Sequence, residues 1–480
     1  MTDIAESRQP NSITVQSIST KLTKTNLILS LLIVLVVGTL SAIDPVKAVI
    51  AVAFLLTILL SFFFTYEAFL IFSLLLLSLG DYFGAKPIAL GGFKLYGADY
   101  FLVILIIVTI KISRSDRTKT KSPLTLLLWI YIIYGFVSLL IGLFYQNHEL
   151  SRTIGDFRRF FYYPINFLLG WNIISEKKDI IKLEKIINFV PFIIIAFATF
   201  RLITGKTWAP EVHTRPEDFR AMPYFDGIAL IFIFSYFIAL FFAKRKLNPI
   251  QLVFAFLIPI FIILSGFRLL WGLFILAIML AFWFTFKLKG HRKYLRIFVY
   301  LFLIIFVALS LFRMAGGKYY EMFETKIVDK ILHYELSSER WRYPAWKSAM
   351  DKFESSPVLG TSLGDEPTFW VKNSAGQWMK ITRTLHNAFL EILYQTGIIG
   401  ALLFLLIIFK YSVYMYKNLK KVDIDFQPIT VALFILFVSG LIQSFFQPYL
   451  NHPGNAVLFF SFMGISIKII HIVKIEKQKP

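Results

Sequence analysis

Apolar residues fall along this chain in long uniform blocks, without the alternation of a half-buried strand. A bilayer core about 30 Å thick needs about 20 mostly apolar residues per helix, with shorter spans near ~17. Blocks of that size lie at 27–43, 46–64, 66–80, 98–112, 123–145, 161–175, 186–204, 227–243, 249–266, 269–286, 296–312, 388–409, 428–447 and 455–472. These spans are predicted to be helices, because hydrocarbon offers a backbone N–H or C=O no partner outside its own segment. A β-barrel would show short alternating segments instead. The expected fold class is therefore all-α, a polytopic transmembrane helical bundle of about 12–14 spans, the lower counts applying if 46–64 and 66–80 are fused or re-entrant.

The polar remainder divides the chain into a tail (1–26), the main bundle (27–312), one long extracytoplasmic loop (313–386), C-terminal helices (387–473) and a short tail (474–480). Short basic clusters fix the orientation. Lys111 to Lys121, Lys177 to Lys185, Lys244 to Lys246, Lys287 to Arg296, Lys417 to Lys421 and the final lysines all fall on one side of a fourteen-span reading. The positive-inside rule makes that side, and both termini, cytoplasmic. The opposite short loops are less basic, including the one expected to hold Arg152, Arg158 and Arg159.

Composition agrees: the chain is 57% hydrophobic and 16% charged, with a mean hydropathy of +0.69, which no soluble surface of this size tolerates. The net charge of +21 belongs to the membrane-flanking clusters and gives no reason to expect a nucleic-acid partner. With no cysteine, disulfides, thiolate nucleophiles and cysteine-held metals are excluded. The polar first 26 residues precede no small-residue cleavage site, so the first span is expected to serve as the insertion signal. Trp129 and Trp171, near span ends, are expected to be interface anchors.

Within the long loop, Trp341, Ala345, Trp346, Ala349, Met350 and Phe353 recur at helical spacing, and Ser355-Ser356-Pro357 ends the pattern before Gly360 and Gly364. An amphipathic helix is predicted there, lying over the outer mouth of the bundle. Four ionisable residues gather on the same predicted face: Arg220, Arg268, Arg342 and His386. Ionisable groups beside membrane spans are costly and mark function. Guanidinium forks match phosphate oxygens and stay charged; fixed positive charge in a dry cleft stabilises a departing diphosphate; an imidazole can take a proton from an attacking hydroxyl. Together they suit glycan transfer from a lipid-linked diphosphate. Each also has a plainer role: Arg220 and Arg342 as solvated loop residues, Arg268 snorkelling to the interface, His386 as a cap, and Glu391 as at most a supporting group. No metal site or nucleotide-binding motif is apparent, since no His-x-x-x-His, P-loop or G-x-G-x-x-G sequence occurs.

The segment from Arg342 to Gly400 resembles the O-antigen ligase and O-antigen polymerase superfamily of bacterial membrane glycan transferases. Arg342, Trp346, Pro357, Gly360 and Gly364 look like its arginine-x-x-x-tryptophan helix and following turns. His386-Asn387-Ala388-Phe389-Leu390-Glu391 with Gly397 and Gly400 looks like its histidine-asparagine segment and glycine-bearing helix. Ser265-Gly266-Phe267-Arg268, and Arg220 before Met222 to Gly227, resemble its two arginine segments, with Phe267 and Asp226 as departures. The resemblance implies a bacterial inner-membrane enzyme without cofactor or metal, catalysing inverting transfer with its active site on the periplasmic face. The donor would be an undecaprenyl-diphosphate-linked glycan and the acceptor a glycan or glycolipid such as lipid A-core. Arg220 and Arg268 would hold the diphosphate, His386 would activate the acceptor, and Arg342 would bind and position substrate. Ligase and polymerase remain open, as do a lipid-linked glycan transporter, which would carry charged or broken helices at mid-membrane, and an assembly subunit, in which substitutions at the four residues would be silent.

Overall fold

The computed structural model describes residues 61–78, 88–90, 93–113, 122–204, 222–243, 245–289, 341–372, 377–382 and 385–476. The chain falls into two compact units, residues 1–68 and 69–480. In the first, the described residues are 61–68, helical at 61–63 and again from Thr65, where a longer helix begins; the packing and the site described below belong to the second. The expected spans 27–43 and 296–312, both chain tails except residues 474–476, and Arg220 lie outside the described residues.

In chain order the helices are α1 Thr65–Ser78, α2 Tyr100–Ser113, α3 Thr125–Leu140, α4 Leu150–Phe157, α5 Asn166–Ile173, α6 Lys177–Ile187, α7 Val190–Thr204, α8 Tyr224–Phe242, α9 Pro249–Leu264, α10 Arg268–Lys289, α11 Arg342–Ser355, α12 Ala388–Asn418, α13 Gln427–Phe446 and α14 Pro453–Glu476. Among the described residues, six helical stretches are long and apolar enough to cross a membrane: 125–145, 177–204, 224–242, 388–421, 427–446 and 453–475. The protein is thus an all-α polytopic membrane protein, as the block pattern predicts.

Three features differ from the sequence reading. First, Arg152, Arg158 and Arg159 are not in a loop. Helical turns run unbroken from Leu150 to Ile173, through a π-turn at Arg158–Tyr162 and a 3-10 turn at Tyr163–Ile165. Pro164 explains the irregularity: it lacks the N–H a regular turn would use, and its ring crowds the carbonyl four residues earlier. Second, Trp171 is buried under the Lys468 ammonium, 4.7 Å from its ring centroid, and beside His471; Trp129 is exposed. Third, the long loop contains an antiparallel hairpin, β3 Thr368–Lys372 with β4 Trp378–Thr382. A shorter hairpin, β1 Ile88–Leu90 with β2 Phe93–Leu95, precedes α2.

Trp171 is buried because α5 and α14 approach backbone to backbone. A Cβ on Gly170 would collide with the carbonyl of Ser461, and one on Gly464 with that of Phe167. Small residues permit this contact, and dispersion rewards it where lipid gives no hydrophobic drive. Gly464→Leu is expected to destabilise the protein by about 3 kcal/mol through overpacking. Gly272→Leu, where a side chain meets nothing within 4 Å, is expected to leave thermal unfolding in detergent unchanged.

The two ends of the bundle differ. At one end Lys177 pairs with Asp423 (3.5 Å) and Arg245 donates to the Asp425 carbonyl (2.9 Å), so three basic segments meet. Beside them Asn248 caps α9, accepting from the Gln251 amide, while the Gln251 side chain accepts from Asn248 N–H in return. α12 and α13 span from this end to the other, where the turn at His386 and the 447–452 loop lie together.

The long loop is docked at that second end on a small core of its own. Ala345 and Ala349 of α11, Phe369 of β3, Leu385 and Tyr394 are buried together, with Trp341, Trp346, Phe353, Val371, Ile381 and Leu390 packed around them. Pro344 is tolerated because it falls in the first turn of α11. The hairpin turns Phe369 inward, while Trp370 and Trp378 face out.

Candidate functional site

α12 is broken at Gly397, whose φ of +63° belongs to the left-handed region open to glycine. The break frees backbone groups, and the segment after α11 satisfies them: Ile398 N–H donates to the Pro357 carbonyl (2.9 Å) and Thr361 N–H to that of Tyr394 (2.9 Å). Gly360, also left-handed at +72°, lies so close to Gln395 that a Cβ would strike its backbone. Gly360 and Gly397 therefore serve one purpose, stitching the long loop into a discontinuous membrane helix.

A buried carboxylate holds the same seam. Asp156 of α4 accepts from Gly364 N–H (3.0 Å) and the Gln395 side-chain amide (2.9 Å), and pairs with Arg159. The Gln395 amide also donates to the Asp365 carbonyl (3.0 Å), as does the Tyr394 hydroxyl (2.9 Å). Lys352 of α11 pairs with Asp365 and Arg152 with Glu366 (3.2 Å). Nearby Arg158 pairs with Asp99, which also accepts from Tyr96 N–H (2.8 Å).

His386 occupies a left-handed turn, φ +53°, between Leu385 and the Asn387 that caps α12 by accepting from Leu390 N–H (3.0 Å). Leu385 is fixed on both sides: its carbonyl accepts from the Trp346 indole (3.0 Å) and its N–H donates to Glu391 (2.8 Å). Trp341 packs edge-on against the His386 ring at 5.0 Å. Its neighbour Arg342 is within electrostatic reach of the Tyr224 hydroxyl at the head of α8. The Tyr224 ring lies 4.8 Å from that of Phe267, next to Arg268, which opens α10 after the left-handed Gly266. The fold thus gathers Arg342 and His386 through Trp341, and connects Arg268 to them through Phe267 and Tyr224. Arg268 itself is exposed. Among the described residues, no three His, Asp or Glu side chains converge as a metal would need.

Sequence reasoning missed Asp156, Arg159 and the 447–452 loop as parts of this region. The signals available were Pro164, since π-turns gather at functional sites, and the polar run Gln447 to Asn455 between two apolar spans. In that loop His452 stacks near Phe225 (4.5 Å). Protein surrounds it on most sides, and this burial pushes its imidazole down to about 4. An unfolded histidine takes its proton near 6.5, so between pH 6.5 and 4 the unfolded chain binds a proton that the folded chain refuses. Stability from neutral His452 is complete above pH 6.5 and lost as pH falls toward 4. Thermal unfolding in detergent at pH 7.5 and 5.0 is expected to show a larger acid penalty for wild type than for His452→Gln.

The architecture defines a class, a helical membrane protein with an extramembrane loop clamped over one bundle end around a histidine turn and arginines. Residues 252–405 match the O-antigen ligase family. The matched stretch contains Arg268, Arg342, His386 and Glu391, and it is in this part that the chain is similar to the O-antigen ligase superfamily. Over 126 residues, 25% of this chain, the sequence is 26% identical to an uncharacterized protein of Haemophilus influenzae, and the match spans 32% of that protein's length.

Proposed function

We propose that this protein transfers a glycan from an undecaprenyl-diphosphate carrier to an acceptor hydroxyl on lipid A-core or a growing polysaccharide, without a metal ion. The observation that carries the reading is that the family-matched stretch holds Arg268, Arg342 and His386, with Trp341 packed against His386 and Arg342 within electrostatic reach of Tyr224. The acceptor oxygen attacks the anomeric carbon from the face opposite the leaving group, inverting it, while His386 takes the hydroxyl proton. The bond to diphosphate breaks, and Arg268 and Arg220 stabilise the charge that develops on the departing polyprenyl diphosphate. Arg342 orients the substrate. The positive-inside rule puts the basic end in the cytoplasm and the histidine turn on the periplasmic face of the inner membrane.

The test is donor consumption by purified protein in liposomes supplied with undecaprenyl-diphosphate-linked glycan, candidate acceptors and EDTA. Consumption that persists in EDTA is expected, and the product distinguishes extended glycan from glycolipid. Loss of turnover in EDTA would overturn metal independence. Donor bound but never consumed would favour a transporter.

A further inference from the structure

Glu391 is a buried carboxylate, 3% exposed, in the first turn of α12. Burying a charge in apolar surroundings is costly unless it is paired and hydrogen-bonded, and each interaction of Glu391 leads to a different element. One oxygen accepts from Leu385 N–H (2.8 Å), the residue before His386. The other accepts from the Asn451 side-chain amide (2.7 Å) in the 447–452 loop, and lies 4.0 Å from an Arg159 nitrogen in the π-turn. Arg159 is in turn held by Asp156, which accepts from the loop at Gly364. The left-handed conformation of His386 is sparsely populated for a residue with a side chain and persists only where its surroundings impose it. Of the two hydrogen bonds that flank this turn at Leu385, one comes from Trp346 in the long loop and the other from Glu391 in the bundle.

We infer that Glu391, supported by Asn451 and Arg159, is a positioning residue that sets the backbone of the His386 turn and registers it against the 447–452 loop, which carries Tyr449 and His452. Its role in turnover rests on the transferase reading above; its role in fixing the turn does not. Glutamate suits the position because it accepts two hydrogen bonds in different directions while balancing Arg159. Glutamine keeps an acceptor for Leu385 N–H; alanine keeps none.

The experiment uses full-length wild type, Glu391→Ala, Glu391→Gln, Asn451→Ala and His386→Asn in detergent, with two readouts. Hydrogen exchange of the peptide containing Leu385 to Asn387 is expected to quicken tenfold or more in Glu391→Ala and to return within threefold of wild type in Glu391→Gln. Turnover with undecaprenyl-diphosphate-linked glycan is expected to fall tenfold or more in kcat for Glu391→Ala and Asn451→Ala, at a donor KM within twofold of wild type. Adding His386→Asn to either is expected to cause no loss beyond that of His386→Asn alone, because groups acting as a unit are not additive. Unchanged exchange at Leu385 in Glu391→Ala overturns the inference, as does a kcat near wild type or a loss that multiplies with that of His386→Asn. A wild type without turnover refutes the transferase reading alone, and the exchange result then decides the inference. If Glu391→Ala does not fold, Asn451→Ala, which leaves the carboxylate and its bond to Leu385 in place, decides by its kcat and by its coupling to His386→Asn, and exchange at Leu385 in Glu391→Gln above tenfold of wild type overturns the inference.

Discussion

Replacing His386 by asparagine is expected to cut glycan transfer by about 10²–10⁴-fold, the usual contribution of a general base, while the melting temperature stays within about 2 °C of wild type. Asparagine is the informative replacement because the residue sits at φ +53°. Among residues with a side chain, asparagine tolerates that region well, whereas alanine adds a backbone penalty of about 1–2 kcal/mol. The variant thus removes the imidazole and little else. Loss of kcat at unchanged donor KM would identify an interaction made in the transition state. Retention of activity would assign His386 a packing role against Trp341 and remove it from the chemistry.

Asp156→Ala is expected to destabilise the protein by about 3–5 kcal/mol, the cost of removing one partner of a buried ion pair. The carboxylate is fully buried and serves three donors: Gly364 N–H, the Gln395 amide and Arg159. Without it, Arg159 keeps only Glu391 at 4.0 Å as an ionic neighbour among the described residues. Thermal unfolding in detergent checks the magnitude, and limited proteolysis between Ser355 and Thr368 checks the location, since this segment is what the carboxylate helps to dock. Asp156→Asn, which keeps an acceptor, is expected to lose less. Equal loss in both variants would mean that charge, and not hydrogen bonding to the loop, dominates at this position.

The class of fold was legible in the sequence because a bilayer imposes a length on every apolar run, and length is what a sequence displays most directly. The helix at Arg342–Ser355 was legible for a similar reason: its apolar residues return at helical spacing and a serine-serine-proline run ends it. The hairpin was less so, although Thr368 to Lys372 and Trp378 to Thr382 are rich in aromatic and β-branched residues and flank Asn373-Ser374-Ala375-Gly376. Arg220, Arg268 and His386 could be named as candidates from their place beside spans, and Arg342 from its place at the start of the helical pattern in the long loop. Arg159 and Asp156 could not, because their significance lies in partners far along the chain; Asp156 and Gln395 are separated by 239 positions. Local pattern shows where a charge lies, and only tertiary structure shows what neutralises it.

That separation has a consequence for biosynthesis. At roughly 5–20 residues per second, the interval between synthesis of Asp156 and of Gln395 is about 10–50 s. During it the helix from Leu150 to Ile173 already exists as a nascent segment, with Asp156 and Arg159 matched to each other but without the Gly364, Gln395 and Glu391 groups that later enclose them. A ribosome that stalls before α12 leaves a product with polar groups facing lipid or water, which membrane proteases and chaperones can distinguish from the finished chain. The seam around Asp156 can therefore close only once the start of α12 has emerged, and the contact of α5 with α14 at Gly170 and Gly464 has to wait longer still.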